Sequence, residues 1–352
     1  MSEATASASP DGDAAGSGAD GALIERFDAL LCDLDGVVYA GPTAVDGAPE
    51  ALERVRATGR PVVYVTNNAS RPPEAVAEHI TSLGASTGVQ DVVSSAQAAA
   101  ALLAERLSPG ARVLVTGSQA LRDEVRAVGL VPVSSQQDAP QAVVQGFDPH
   151  LGWEQLAEAA FTLADESVLW CATNTDRTIP KERGIAPGNG TLVAAVAAAT
   201  GREPLVAGKP EAPIFREAAE RVGATRPAVV GDRLDTDILG AHNAGMESIE
   251  VLTGVDSAAG VLGACTAQRP TYLLATLREL FEPYPEVATG RTGDRVSATC
   301  RSVRAEVAGD VVTITAETGD LDGWRAACAA WWAAHPEEDE ATSPEVRWEP
   351  VS

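Results

Sequence analysis

The sequence predicts an α/β protein: a Rossmann-like, doubly wound parallel sheet with a small ββα appendage at its C-terminal end. Three observations carry that expectation. From Phe27 onward, short β-rich apolar runs alternate with longer helical segments, the pattern of parallel strands joined by crossover helices. Several runs end on polar or turn residues, namely Asp33, Asn67, Gly117, Asn174 and Asp232, and open α/β sheets bind ligands outside the carboxyl ends of their strands. Near the end of the chain the periodicity changes to strict alternation and then to helical spacing.

Taken in order, residues 1–22 are rich in Ala, Ser, Gly and Asp, with neither a basic start nor an apolar run. A disordered tail is expected there, not a secretory signal. The strand candidates that follow are "ALLCD", "PVVYVTN", "DVVSS", "RVLVTG", "AVVQG", "VLWCATN", "AVVGD" and "SIEVLTG". The stretch "FEPYPEVATGRTGDR" reads as a linker because of its Pro and Gly content. After it, "VRAEVAGDVVTITAET" alternates around Gly309 and Asp310 as a hairpin, and Leu321, Trp324, Cys328, Trp331 and His335 share one helical face.

Composition excludes several classes of partner. With 50 acidic against 26 basic residues the formal charge is -24, so the mean field repels nucleic acid and anionic lipid. Lys181 and Lys209 are the chain's two lysines, which makes each worth weighing. The five cysteines and four histidines are dispersed without zinc-ligand spacing. A reduced, cytoplasmic protein is expected. No run approaches the roughly 18 apolar residues of a membrane span.

The tetrapeptide DLDG occurs at Asp33–Gly36 and again at Asp320–Gly323. In the first copy two carboxylates follow an apolar strand and, on an extended path, face one crevice, where they repel each other unless a cation joins them. Oxygen ligands of this kind suit Mg²⁺ together with a substrate phosphate. Thr66 and Asn67 end the next strand, and Ser70 with Pro72, Pro73 and Glu74 reads as the start of a helix, a place for an anion. Lys209 stands in a Gly-Lys-Pro turn as a point charge suited to phosphate. Gly231 and Asp232 end another strand, with Asp235 and Asp237 close behind. The second DLDG opens an amphipathic helix, where its aspartates are expected to act as N-terminal caps.

With these motifs in this order, the chain resembles the haloacid dehalogenase superfamily of phosphohydrolases, over about Ile24 to Glu282. The stretch between Thr66 and Lys209, with "TNTDRTIP" and "GNGTLVAAVAAATGREP", resembles the large α/β cap of the subfamily that holds NagD, phosphoglycolate phosphatase and pyridoxal phosphate phosphatase. The resemblance implies core segments over 23–106 and 205–285, an inserted cap over 107–204, and a linker with the ββα module over 286–352. It implies Asp33 as nucleophile, Asp35 as general acid and base, and Thr66 and Lys209 as holders of the phosphoryl oxygens. Mg²⁺ would be bound by Asp33, the Asp35 main-chain carbonyl and Asp232, with Asp237 orienting that shell. Gly36, Asn67 and Asn68, together with Asn174, Asp176 and Arg177 from the cap, are the expected substrate contacts.

The activity implied is hydrolysis of small phosphomonoesters, glycerol 3-phosphate first. Phosphoglycolate, pyridoxal phosphate and nucleoside monophosphates are alternative substrates, and phosphotransfer to an alcohol is an alternative reaction. A homo-oligomer is compatible with this reading. A different class of role, an interaction scaffold acting through Trp324, Trp331 and Trp332 of the C-terminal module, would leave the core motifs without purpose.

Overall fold

The computed structural model describes residues 21–181 and 183–350, so most of the expected tail lies outside the described residues. The core is a six-stranded, wholly parallel sheet in the order 272–274, 247–251, 227–231, 29–32, 62–66, 92–94. The chain lays Ala29–Cys32 first, adds two strands on one side, leaves, and returns to build the other side. Its carboxyl end therefore lies at the topological switch point, where the adjoining loops diverge and leave a crevice.

These strands read as continuous apolar runs because both faces are covered. Leu30 and Cys32 point into a cluster with Tyr64, Val230, Ile249 and the helix Ala48–Ala57. Leu31, one residue out of phase, points into the opposite cluster with Val63, Val65, Val229 and the helices Ser95–Ala104 and Ala212–Val222.

The inserted domain is a second parallel sheet of five strands, ordered 205–206, 169–172, 142–145, 112–116, 131–133. Leu205 and Val206 pair with Cys171 and Ala172, so the cap sheet extends past the expected boundary at 204. Two residues are too few to show a period, and only the pairing reveals them. The cap shares a core with the main domain: Val113, Val115, Leu121, Val144 and Cys171 belong to the same cluster as Leu31 and Val63.

The C-terminal module is larger than the expected ββα unit. Strands Val287–Thr292, Arg295–Cys300, Val303–Ala308 and Val311–Thr315 form an antiparallel meander, and Glu345–Glu349 adds in parallel to the last of them. The stretch read as a linker contains the whole first strand and the opening residue of the second. Val287–Thr292 is an edge strand, almost wholly exposed, so it lacks the apolar alternation that would mark it. The helix Leu321–Ala334 covers one face of the sheet, and Asp320 caps it by accepting from Gly323 N at 2.8 Å, the role expected of the second DLDG. Among the described residues no helix is long and apolar enough to cross a membrane.

Candidate active site

Asp33 continues the ladder by one step, its N–H donating to Val230 O at 2.8 Å, and the chain then turns sharply. Leu34 O accepts from Val38 and Tyr39 N–H at 2.9 and 3.1 Å, while Gly36 N donates to Tyr39 O at 2.7 Å. Gly36 has φ +81°, and a Cβ there would lie 2.2 Å from Asp232 Oδ2. Glycine is thus required both by the turn and by the approach of a carboxylate from the neighbouring strand.

That carboxylate is held firmly. Asp232, 1% exposed, accepts from Val255 N–H through Oδ2 at 2.8 Å, while its buried Oδ1 has no hydrogen-bond partner among the described residues. The next turn, Leu234–Ile238, is π-helical and carries Asp237, also 1% exposed. A Cβ on Gly231 would lie 2.1 Å from Asp237 Cβ, so glycine at the strand end is what lets this turn fold back. Lys209 Nζ lies 2.6 Å from Asp33 Oδ1 and 2.7 Å from Asp237 Oδ1.

Carboxylate oxygens of Asp33, Asp232 and Asp237 all lie within 4.8 Å of one another. Three acidic groups against one ammonium leave a local surplus of two negative charges. Burial, with these mutual charges adding to it, shifts the acidity of the groups. Burial pushes Asp232 up to about 6, with the Asp33 charge adding to it. Burial likewise raises Asp237, more than the Lys209 charge beside it brings it down. For Lys209 burial works against the charged form, but Asp237 and Asp33 outweigh it and keep the ammonium protonated. A hard dication with oxygen ligands fits this set: it would neutralise the surplus and engage the unpartnered Oδ1 of Asp232.

Asp35 lies on the open side of the turn. Partial desolvation first, then the Asp33 charge, raises its carboxyl above the usual carboxylate range. Thr66 ends its strand, its Oγ1 accepting from Asn68 N–H at 3.1 Å. Asn68 Oδ1 accepts from Ser70 N–H and Oγ–H at 2.9 and 2.8 Å and shapes the approach to the following helix.

Asn67 sits at the junction of core and cap. Its Oδ1 accepts from Lys209 N–H at 2.8 Å, and its Nδ2 donates to Lys209 O at 3.0 Å and to Asp176 Oδ1 at 3.2 Å. Its carbonyl accepts from Asn174 Nδ2 and Ser95 Oγ–H, both at 2.7 Å. Asn174, 4% exposed, also accepts from Asp176 N–H, at 3.2 Å. The structure gives Asn174 a fastening role: its Nδ2 ties the cap to Asn67 O of the core, and its Oδ1 holds Asp176 N–H. Asn67 likewise fixes the lysine turn. Arg177 is exposed, with its carbonyl accepting from Gly188 N–H and Thr191 Oγ1–H.

Sequence reasoning missed three features. The loop after strand Glu247–Val251 clamps Asp232, through Val255 N–H and through Gly254, where a Cβ would fall 1.8 Å from Asp232 Oδ2. Asp256 Oδ2 accepts from Leu234 N–H at 2.8 Å and so anchors the π-turn. Glu250 is fully buried with both oxygens unpartnered among the described residues, and burial pushes its carboxyl up to about 10, the acidic site adding to it. An acid in the middle of an apolar strand was the available signal.

A carboxylate cluster gripped by a buried lysine, at the switch point of a parallel sheet and beneath an inserted α/β cap, defines the class: capped α/β hydrolases. Comparison with known proteins agrees. Residues 30–131 match the haloacid dehalogenase-like hydrolase family model, and residues 206–280 match a second model of the same kind. The chain is 45% identical over 313 residues to the D-glycerol 3-phosphate phosphatase of Mycobacterium tuberculosis, covering 89% of this chain and 88% of that protein. A glycerol phosphate phosphatase structure from the same organism, solved with magnesium, superposes with TM-score 0.81 at 42% identity, covering 94% of this chain and 96% of that one. An acid sugar phosphatase of Staphylococcus aureus is 36% identical over 258 residues, covering 73% of this chain and 97% of that protein. The chain belongs to the haloacid dehalogenase-like hydrolase family, among its phosphatases.

Proposed function

We propose that this chain is a Mg²⁺-dependent phosphatase that hydrolyses small phosphomonoesters, glycerol 3-phosphate in particular, through an aspartyl-phosphate on Asp33. The observation that carries the reading is the Lys209 ammonium bridging Asp33 and Asp237 at 2.6 and 2.7 Å within a cluster that includes Asp232. The choice of ester is supported by the similarity to D-glycerol 3-phosphate phosphatase along 89% of the chain.

Asp33 attacks phosphorus, forming the Asp33–phosphorus bond as the ester oxygen departs, and Asp35 gives its proton to that oxygen. In the second half Asp35, now a carboxylate, takes a proton from water as the water attacks phosphorus and frees Asp33. Thr66 and Lys209 hold the phosphoryl oxygens, and positioning with charge stabilisation is the main lever this reaction offers. Asp33, the Asp35 carbonyl and Asp232 would hold Mg²⁺, with Asp237 beside them, and the ion supplies neutralisation of the phosphate's negative charge. Gly36 and Asn67 border this site, while Asp176 and Arg177 stand at the cap side as the groups that would meet the alcohol.

Phosphate release from glycerol 3-phosphate, phosphoglycolate, pyridoxal phosphate and nucleoside monophosphates tests this directly. Glycerol 3-phosphate is expected to give the highest kcat/KM, and Asp33→Asn to lose on the order of 10⁴-fold or more in kcat. Comparable turnover by Asp33→Asn overturns the nucleophile assignment. Transfer of phosphate to an added alcohol without net release would instead identify a phosphotransferase.

A further inference from the structure

Among the described residues the C-terminal module supplies none of the carboxylate cluster, yet it grips the segment that follows the metal loop. The loop Thr253–Asp256 touches both halves of the site. Thr253 Oγ1–H donates to Gly36 O at 2.6 Å, Val255 N–H to Asp232 Oδ2 at 2.8 Å, and Asp256 N–H to Asp232 O at 3.0 Å. Asp256 Oδ2 also anchors the turn that carries Asp237. The chain then runs straight into the short helix Ala258–Leu262, whose far end the module fastens.

Trp332 Nε1–H donates to Leu262 O at 3.1 Å, and Thr342 N–H donates to Gly263 O at 2.7 Å. The two segments approach so closely that a Cβ on Gly263 would lie 1.9 Å from Thr342 O. A little further on, Thr266 N–H donates to Glu338 O at 2.9 Å, and Glu338 N–H returns to Thr266 Oγ1 at 2.8 Å. Beneath these bonds one apolar cluster runs from Leu234 and Ile238, which flank Asp237, through Val261 and Leu262 to Cys328 and Trp331 of the module.

We propose that the C-terminal module is a brace for the metal loop: through Trp332 and the Thr342–Gly263 contact it fixes Thr253–Asp256, and thereby sets how tightly the carboxylates hold Mg²⁺. This rests on the reading of Asp232 as a Mg²⁺ ligand. Trp332 and Gly263 are positioning residues, since neither touches the reacting atoms. The physical ground is preorganisation. A loop free to shift by about 1 Å loses ligand geometry, and Mg²⁺ tolerates departures from octahedral coordination poorly.

The test is calorimetric titration of the full-length protein with Mg²⁺ alone, beside thermal unfolding. Trp332→Phe, which keeps an aromatic ring but loses the donor, is expected to weaken Mg²⁺ binding about threefold. Gly263→Ala, which drives the segments apart, is expected to weaken it about tenfold, these being the scale of one to two lost hydrogen bonds. Val312→Ala, in the module's sheet and part of the same apolar cluster but making none of the seam's hydrogen bonds, lowers Tm and leaves the Mg²⁺ Kd unchanged. Asp232→Asn abolishes binding. Wild-type affinity in both seam variants, with binding lost in Asp232→Asn, overturns the brace. So does a Val312→Ala variant that weakens binding as much as the seam variants do. Unchanged Mg²⁺ binding in Asp232→Asn instead removes the metal-site reading, and the brace with it.

Discussion

Lys209 is one of two lysines in the chain and is 4% exposed. It is held in the folded state by the carboxylates it bridges, and they in turn depend on it. Removing one partner of a buried ion pair leaves uncompensated charge and costs about 3–5 kcal/mol. Lys209→Met in EDTA is expected to lose stability on that scale in urea unfolding. Asp232 shows the same conflict from the acidic side, with its carboxyl at about 6 against roughly 3.9 unfolded. Between those values the folded protein holds a proton that the unfolded chain has released, so this group's contribution to stability falls as pH rises through that window. Mg²⁺ must displace that proton, so its affinity falls as pH drops through about 6. Calorimetric Mg²⁺ titrations at pH 5.5 and 7.5 check the direction: weaker binding is expected at the lower pH.

At the scale of elements, the junction between strand Val62–Thr66, the lysine turn and the cap depends on one amide. Asn67 bonds the Lys209 backbone in both directions and also reaches Asp176. Asn67→Ala is expected to misplace Lys209 and the cap together and to cost about 10²-fold in kcat/KM, the usual scale for a displacement of about 1 Å near the chemistry. Steady-state kinetics against glycerol 3-phosphate checks it. Gly36→Ala is expected to do more damage to metal binding than to folding, because the new Cβ would lie 2.2 Å from Asp232 Oδ2. A Mg²⁺-dependent rise in Tm that shrinks or vanishes in this variant is the expected outcome.

At the scale of the whole molecule, the module and the core are one packing unit along their seam. Arg325, 7% exposed, donates from the module helix through Nε and a terminal nitrogen to Leu273 O at 3.0 and 2.8 Å and pairs with Glu279 at 2.8 Å. Trp331 is buried in the shared cluster. Trp331→Ala is expected to cost about 3–5 kcal/mol, the range for truncating a buried aromatic. One unfolding transition at lower denaturant, not a separate loss of the module, is the outcome consistent with shared packing. Differential scanning calorimetry distinguishes the two.

Much of this was legible in the chain itself. Parallel core strands have both faces covered, so "ALLCD", "PVVYVTN" and "AVVGD" show as apolar runs with polar ends, with Asp33, Thr66 and Asp232 as local marks on those ends and Lys209 marked by its Gly-Lys-Pro turn. The second DLDG was equally readable, because capping is a bond between neighbours, Asp320 to Gly323. What the sequence concealed lacks a local pattern. The two-residue strand Leu205–Val206 and the exposed edge Val287–Thr292 exist through pairing with distant strands. Asn174 reads as a polar strand end, and only the fold brings it within 2.7 Å of Asn67 O, where it ties the cap to the core. Val255 and Gly254 matter because folding returns a loop to Asp232 across more than twenty residues. The sequence determined the chemistry, since strand-end residue types are set by what they must bind. Tertiary structure alone decided which of those groups are brought together and what holds them in place, because that depends on contacts between segments far apart in the chain.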